Sequence, residues 1–589
     1  MLRTNTCGEL NSSYINKKVV LCGWVHTRRD HGGVVFIDLR DRYGLTQVVF
    51  DPSHNKNAHK DAEKLRREYV IKVDGVVKAR KEGMENKKLA TGEIEVFSDK
   101  LEILNEADTP PIEVDDRIVS NDDLRLEYRY LDLRRPAMQA HIKLRHDAAQ
   151  ATREYMNSNS FLEVETPLLI RSTPEGARDY IVPSRVNPGK FYSLPQSPQL
   201  YKQTLMVSGC DRYYQLAKCL RDEDLRVDRQ PEFTQIDIEM SFVEKEDVYV
   251  LVEGLMKHIF KKVLSKDLKT PFKKLTYDEA IGKYGSDKPD LRFGLELHDI
   301  TGIVKDSDFS VFKNVIEHGG IVKCLNAKGC GTFSRKDIDE LTAHAATYGA
   351  KGLAWAKVDN NVLTSSITKY LGEKVQKEIM KVSDAKNNDL ILFIADKPNI
   401  TNTALGQLRL FIAKKLNLAN PDEFNFCWVT DFPLFEWSED EEKYAPMHHI
   451  FSMPNFEDIK NLESDPSKVK GQLYDLALNG VEVAGGSIRI HKRDIQERVL
   501  KVIGMDYEQA ERNFGFLLKA FRYGAPPHGG IAVGFDRLVS LLGGDNDIRN
   551  FIAFPKNKAA QCPMDGSPSD VDNDILKEVH IKLDVVKKK

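Results

Sequence analysis

A chain of 589 residues is longer than one hydrophobic core usually serves, so several compact units are expected. Hydrophobic residues make up 41% and charged residues 30%, and no apolar run approaches the roughly 18 residues of a membrane helix, so membrane insertion is not expected. A formal net charge of -3 argues against a protein that coats nucleic acid non-specifically, while leaving room for a local basic groove.

The opening MLRTNTCGEL has no basic segment followed by an apolar stretch, and the eight cysteines form no CxxC pair, which together point to a cytoplasmic protein with reduced thiols. Residues 1–108 contain five strand-like runs, beginning at Val19, Val34, Thr46, Tyr69 and Gly92, with the charged helical stretch KNAHKDAEKLRREY between the third and fourth. That order suggests a small closed barrel of the OB type, an oligonucleotide-binding scaffold, with an SH3-like barrel as the alternative. Phe36 falls on an alternating strand, where its ring either stacks on a base or packs into the core.

Residues 109–136, with paired prolines and many acids near their start, read as a hinge or linker. Over 137–285 strands and helices alternate, as the first part of a larger domain. Residues 286–424 carry no catalytic-looking constellation and read as an inserted domain. Strand patterns dense in polar residues resume over 425–555, the second part of the earlier domain, and 556–589 read as an extension that wraps the surface or frays.

Two stretches carry chemistry. In residues 213–242, QLAKCLR and FTQIDIEMSF read as strands joined by a charged loop, an antiparallel hairpin in which Arg221 ends one strand and Phe233 begins the other. A cation and an aromatic face so placed suit a nucleotide, although a charged hairpin taken alone is more often a solvated edge. In residues 524–542 a Gly-rich turn leads through a strand into a helix opening near Phe535. Arg537 then stands in the first helical turn, where its charge is unfavourable unless an anion is bound there. Neither GxxxxGK[ST] nor a GxGxxG after a strand is present, so P-loop and dinucleotide folds have no support.

These segments resemble a family. FLEVETPLL, with Pro167, resembles motif 1 of the class II aminoacyl-tRNA synthetases, the hairpin resembles motif 2 and GFDRL resembles motif 3. QSPQLYKQTLM, RDEDLRVDRQPEFTQID and GVEVAGGSIRIH are similar to the aspartyl-tRNA synthetases of bacterial type, and the likeness covers nearly the whole chain. The resemblance implies a multidomain α/β and β protein: an OB-fold anticodon-binding domain, a catalytic domain on an antiparallel sheet, and an inserted α+β module of the GAD type. It implies ATP-dependent ligation of L-aspartate to tRNA through an aspartyl-adenylate, and a homodimer built through motif 1.

Carried over by motif, the catalytic residues are Arg221, Arg537 and Glu482. Arg221 would hold the α-phosphate of ATP and Arg537 the γ-phosphate, with Phe233 stacked on adenine and Asp222, Glu223, Gln230, Glu482, Gly534, Phe535 and Asp536 completing the ATP site. Asp475 and Glu482 would hold Mg²⁺, whose shell the substrate completes. For aspartate, Arg489 would fork onto the side-chain carboxylate with Lys202 beside it, and Glu175 would close over the amino group. Ser197, Gln199, Arg221, Gln235, Asp237, His448 and His449 complete that pocket. A site built for a charged partner rejects neutral asparagine, because its cations would be left unpaired. In the barrel, Phe36 would stack on an anticodon base while Arg29, Gln47 and Glu93 read base edges.

Enzymes of this family divide into those that charge only tRNA(Asp) and those that also charge tRNA(Asn). The relaxed type tends to carry His and Gly at two barrel positions, which here match His31 and Gly83. Charging of both tRNAs is expected, with an amidotransferase as functional partner. The alternatives are a strictly tRNA(Asp)-specific enzyme, a relative that loads asparagine or lysine, and a non-catalytic RNA-binding paralogue. Lysine would be repelled by Arg489 and Lys202, and a paralogue without activity would not need Arg221, Phe233, Asp475, Glu482 and Arg537 together.

Overall fold

The structure is a computed structural model that describes residues 1–118, 120–173 and 176–585. The alternating runs near the N-terminus form strands Lys18–His31, Val34–Asp41, Gly44–Phe50, Val70–Ala79 and Ile94–Asn105, closed into a barrel in the order first, second, third, fifth, fourth. Period two explains its wall: Val35, Ile37 and Leu39 are fully buried, while Phe36 and Asp38 between them face outward and are only half-buried. The helix Lys56–Ala62 lies between the third and fourth strands, as expected for the OB type. The Asn55 side chain caps it by accepting from the Asn57 and Ala58 N–H groups, and Ala58 and Ala62 seal the core.

The chain divides into two compact units, Met1–Arg145 with Arg549–Asp570, and His146–Ile548 with the residues from Val571 on. In the first unit the connector after the barrel reaches the short helices Asp122–Glu127 and Arg129–Asp132. Asp132, wholly buried, accepts from Arg125, Arg129 and Arg135. The Arg129 guanidinium also donates to the carbonyls of Arg549, Ile552 and Ala553. A buried carboxylate ringed by guanidinium groups meets its desolvation cost only when its lone pairs are filled, and here they are. This clasp holds the segment Arg549–Asp570 within the first unit; its residues 549–555 were expected in the second part of the larger domain and 556–570 in the extension.

The second unit is built on an eight-stranded sheet. Its order is Lys273–Thr276, Phe426–Thr430, Leu473–Leu478, Val481–Ile488, His528–Gly534, Glu232–Ser241, Arg212–Leu220, Leu162–Glu163. The two outermost pairs are parallel and the inner pairs antiparallel. Sequence neighbours are thus split: strands from before residue 286 lie beside strands from after 424. Between them an excursion forms its own five-stranded sheet, with Ile321–Ala327 and Leu390–Asp396 at its centre and a hydrophobic core on each face. Among the described residues no helix is long and apolar enough to cross a membrane.

Candidate active site

The strands Arg212–Leu220 and Glu232–Ser241 pair antiparallel with Phe233 opposite Cys219, so the expected hairpin is present. Glu232–Ser241 pairs on its other edge with His528–Gly534, Gln235 standing opposite Gly534. The helix Phe535–Leu542 opens directly from that strand, and Arg537 is its third residue. Sheet pairing thereby brings motifs some 300 residues apart, by the usual register of paired strands, to one end of neighbouring strands inside the sheet.

A cavity of about 260 Å³ lies at those strand ends. Among the sequence-derived ATP residues, Arg221, Glu223, Gln230, Phe233, Glu482, Gly534, Asp536 and Arg537 line it. The Arg221 guanidinium sits 5.1 Å from the centre of the Phe233 ring, so cation and ring are in contact with each other instead of standing apart to flank a ligand. Arg537 donates through one terminal nitrogen to the Glu482 carbonyl at 2.7 Å and through the other to Asp228 at 3.3 Å. The Asp536 carboxylate, buried, accepts from the Thr234 N–H at 2.6 Å and locks the helix start to the hairpin. Two expected ATP residues do not line the cavity. Asp222 is exposed, its N–H bonded to the Arg178 carbonyl, and Phe535 is buried in the interior.

Deeper along the same strand lies an ionic cluster. Gln235, Asp237 and Glu239 alternate on one face, leading from the cavity into the protein. Lys202 donates to Asp237 at 2.9 Å and lies 3.3 Å from Glu239. Arg489 forks onto Glu239 through Nε at 3.1 Å and a terminal nitrogen at 3.3 Å, and its other terminal nitrogen donates to Ser487 at 2.7 Å. Lys202 is 1% exposed and Arg489 4%, so both cations are fixed by neighbours and almost out of water. Burial raises the Glu239 pKa, but Arg489 and Lys202 more than offset it and the carboxylate is held below its ordinary value. Asp237 is different: burial dominates and pushes it up to about 6, and one of its oxygens is buried with no hydrogen-bond partner. Gly530 permits this packing, since a Cβ there would meet a Glu239 carboxylate oxygen at 2.0 Å.

Glu239 was not among the sequence-derived site residues, although the alternation QIDIEM places it on the same face as Gln235 and Asp237. Nor were Gln203 and His528, both fully buried. His528 lies with Nδ1 2.8 Å from the Pro526 carbonyl and Nε2 3.1 Å from the Gln203 amide nitrogen, so its first nitrogen donates and its second accepts. Of the other expected aspartate residues, Gln199 is buried on the Gln199–Val207 helix, its N–H donating to Ser197 Oγ at 3.2 Å. His449 accepts at Nδ1 from the Phe451 N–H, and burial, then the charges of Arg489 and Lys202, hold its pKa down at about 3, so it is neutral at physiological pH. Glu175 lies outside the described residues.

The two expected metal carboxylates stand on neighbouring strands, Asp475 on Leu473–Leu478 and Glu482 on Val481–Ile488. Asp475 has a buried oxygen without a hydrogen-bond partner, and burial, followed by the nearby Glu482 charge, raises its pKa well above the ordinary value. Two acids pushed together with an orphaned oxygen are what a divalent cation relieves. Among the described residues no group of three or more His, Cys, Asp or Glu is arranged to hold a metal. Two carboxylates with the remaining positions left to substrate and water fit the oxygen-rich shell of Mg²⁺ better than that of a closed protein-only site. His448 Nε2 lies 3.6 Å from Asp475.

On the barrel, Arg29 and Phe36 are directly opposite across one strand pair, and Asp38 and Gln47 across the next. Arg29 donates to Asp38 at 2.7 Å and to Gln47 at 3.3 Å, and Gln47 in turn donates to Glu95 at 2.8 Å. Three of the four expected base-reading residues thus share a face, with Asp38 and Glu95 as members the sequence did not single out. Glu93 is exposed, two residues before Glu95. His31 meets Phe36 edge-on, with ring centres 6.5 Å apart. Gly83 lies on an exposed turn at φ +80, with open space where a side chain would go.

Comparison with known proteins gives two family matches: "tRNA synthetases class II (D, K and N)" over residues 121–558 and "OB-fold nucleic acid binding domain" over residues 19–104. A protein of Desulfatibacillum aliphaticivorans named Aspartate--tRNA(Asp/Asn) ligase is 54% identical over 584 residues, 99% of this chain and 98% of that one. One of the same name from Caldanaerobacter subterraneus is 52% identical over 583 residues, again 99% and 98%. Among solved structures, asparaginyl-tRNA synthetase from Pyrococcus horikoshii with asparaginyl-adenylate matches at a TM-score of 0.60 and 20% identity, over 94% of this chain and 98% of that one. An aspartyl-tRNA synthetase from Entamoeba histolytica matches at 0.58 and 19%, over 94% and 92%; at these identities the likeness is one of fold.

Proposed function

The chain belongs to the class II tRNA synthetases of the D, K and N group, and from that premise we propose that it joins L-aspartate to both tRNA(Asp) and tRNA(Asn) through an aspartyl-adenylate. The observation that carries aspartate over asparagine or lysine is the buried pair Lys202 and Arg489, each already held by Glu239. Two fixed cations and the substrate ammonium, set against the two resident carboxylates Asp237 and Glu239, leave one positive charge over, which a side-chain carboxylate compensates and an amide in a dry site does not. Asp237, with its orphaned oxygen, faces the substrate ammonium.

In the first step the α-carboxylate of aspartate attacks the α-phosphorus of ATP, forming the mixed anhydride and releasing pyrophosphate. Arg221 and Arg537, both lining the cavity, stabilise charge that spreads over the phosphoryl oxygens. Phe233 offers its ring to the adenine. Mg²⁺, held by Asp475 and Glu482, would supply further neutralisation of the phosphates. In the second step a ribose hydroxyl of the tRNA terminus attacks the aspartyl carbonyl and AMP leaves. Meanwhile the barrel face around Arg29, Phe36 and Gln47 holds anticodon bases by stacking and edge contacts.

Relaxed tRNA choice rests on His31 beside Phe36 and on Gly83, where the lack of a side chain leaves space on the barrel surface. Such an enzyme works with an amidotransferase that converts Asp-tRNA(Asn), and its place is the cytoplasm. The apolar side chains of Leu162, Leu168 and Leu169 in the motif 1 segment are more than half exposed, which favours a second copy of the chain covering them. The deciding experiment charges purified transcripts of both tRNAs with aspartate. Both should be charged, and His31→Leu with Gly83→Asn should depress tRNA(Asn) more than tRNA(Asp). Failure of the unmodified enzyme on tRNA(Asn) would restrict it to tRNA(Asp), and failure on both would reject the reading.

A further inference from the structure

The segment between the helix Tyr277–Tyr284 and the first strand of the five-stranded sheet, Leu297–Asp299, lies within the stretch expected as an inserted domain, yet it passes the two expected metal carboxylates. Lys288 Nζ lies 3.7 Å from Glu482 Oε2 and 3.9 Å from the carboxylate of its neighbour Asp287. The backbone that presents it is clamped. Asp290, two residues on, is buried, and its carboxylate is gripped by the Arg292 guanidinium. Its carbonyl accepts from Arg409 at 2.6 Å, and Arg409, 1% exposed, also donates to the carbonyls of Phe293, Gly294 and Leu295. By contrast the Lys288 side chain is 43% exposed, a charge on a four-carbon stem that swings without moving its anchor.

We propose that Lys288 is a further phosphate-contacting residue, which pairs with Glu482 until a divalent cation takes that oxygen and then turns onto the triphosphate. The inference rests on the ATP and metal reading given above. An ammonium and a divalent cation cannot share one carboxylate oxygen without repulsion, so Lys288 and the metal exclude each other there. The displaced ammonium remains within reach of what the metal brings. Oxygens sharing one Mg²⁺ stand about 3–4 Å apart, since each lies about 2.0–2.1 Å from the ion, and Lys288 is already at that separation from Glu482. Pyrophosphate leaving the first step would meet the same lysine.

Lys288→Ala and Lys288→Arg in the full chain test this. Binding of Mn²⁺ without nucleotide is followed by electron paramagnetic resonance, and binding of ATP and of aspartate by calorimetry. Lys288→Ala should tighten Mn²⁺ binding about fivefold by removing the competing charge, while weakening ATP about tenfold through the lost contact. Aspartate affinity should stay unchanged, and Lys288→Arg should recover most of the ATP affinity. Unchanged Mn²⁺ and ATP binding in the alanine variant would overturn the proposal, as would a parallel loss of aspartate affinity, the mark of a merely structural role. An unmodified enzyme that binds Mn²⁺ but exchanges no pyrophosphate with aspartate would instead remove the proposed function itself.

Discussion

The buried Lys202–Arg489 cluster, proposed as the aspartate pocket, and the barrel face, proposed to meet the anticodon, both present charged side chains, but they are built in opposite ways. In the pocket Lys202 and Arg489 are 1% and 4% exposed and tied to carboxylates that are themselves buried. On the barrel the Arg29 side chain is 42% exposed and bonded to Asp38, a partner that water or an RNA base edge can replace. The pocket spends folding energy beforehand to hold one geometry, and the barrel defers that choice until RNA arrives. Small ligands with few contacts need the first arrangement. A long polyanion with many contacts tolerates the second.

That contrast breaks most visibly if a pocket cation is removed. Arg489→Ala leaves Glu239 short of its main partner, and a broken buried pair costs on the order of 3–5 kcal/mol, so the unfolding midpoint should fall together with aspartate activation. A variant with wild-type unfolding would show the cluster to be less committed than its burial suggests. Arg221→Ala tests the cavity without the cluster: pyrophosphate exchange should drop about 10²–10³-fold, roughly the value of one preorganised charge contact, with thermal stability nearly unchanged. Near-normal exchange would remove Arg221 from the phosphate site.

A gentler probe is pH. Burial sets the Asp237 pKa at about 6, and only the ionised carboxylate attracts an ammonium. Aspartate affinity should therefore be full above that value and fall as pH drops through it, approaching about tenfold per unit on the acid side. The KM for aspartate, followed from about pH 5 to 8, should show this bend, and Asp237→Asn should abolish it along with most of the affinity. A flat profile in the unmodified enzyme would separate Asp237 from the amino group. The smallest effect belongs to the barrel: Phe36→Ala should cost about 1–3 kcal/mol in tRNA charging, the value of one stacked base, and leave pyrophosphate exchange untouched. Loss of exchange in that variant would contradict the division of labour between the two surfaces.

What the sequence made legible follows from range. The barrel strands announce themselves by local alternation, and the Phe535–Leu542 helix by the glycines ahead of it, because those signals need only neighbouring residues. Motif resemblance supplied the residues of the cavity, and the structure brings most of them to one end of neighbouring strands. Glu239 was within reach of the alternation in QIDIEM, yet nothing local distinguishes an acid that locks two cations from one that faces water. Lys288 was out of reach, since its approach to Glu482 depends on where a distant strand lands. The Arg129 clasp on Arg549, Ile552 and Ala553 is likewise a long-range pairing of a side chain with carbonyls, which composition does not mark.

The parallel neighbours Lys273–Thr276 and Phe426–Thr430 carry a consequence for synthesis. A parallel pair needs a crossover, and the helix Tyr277–Tyr284 already provides one, so the stretch that forms the separate five-stranded sheet is far more chain than the crossover itself requires. Closing a gap of about 150 residues adds little to the equilibrium, because each doubling of a loop costs only about 0.6 kcal/mol. Time is another matter. On the ribosome Glu232–Ser241 emerges long before its partner His528–Gly534, and through that interval the edge that will meet this partner is bare. A nascent chain stalled in this window would be the species most in need of a chaperone.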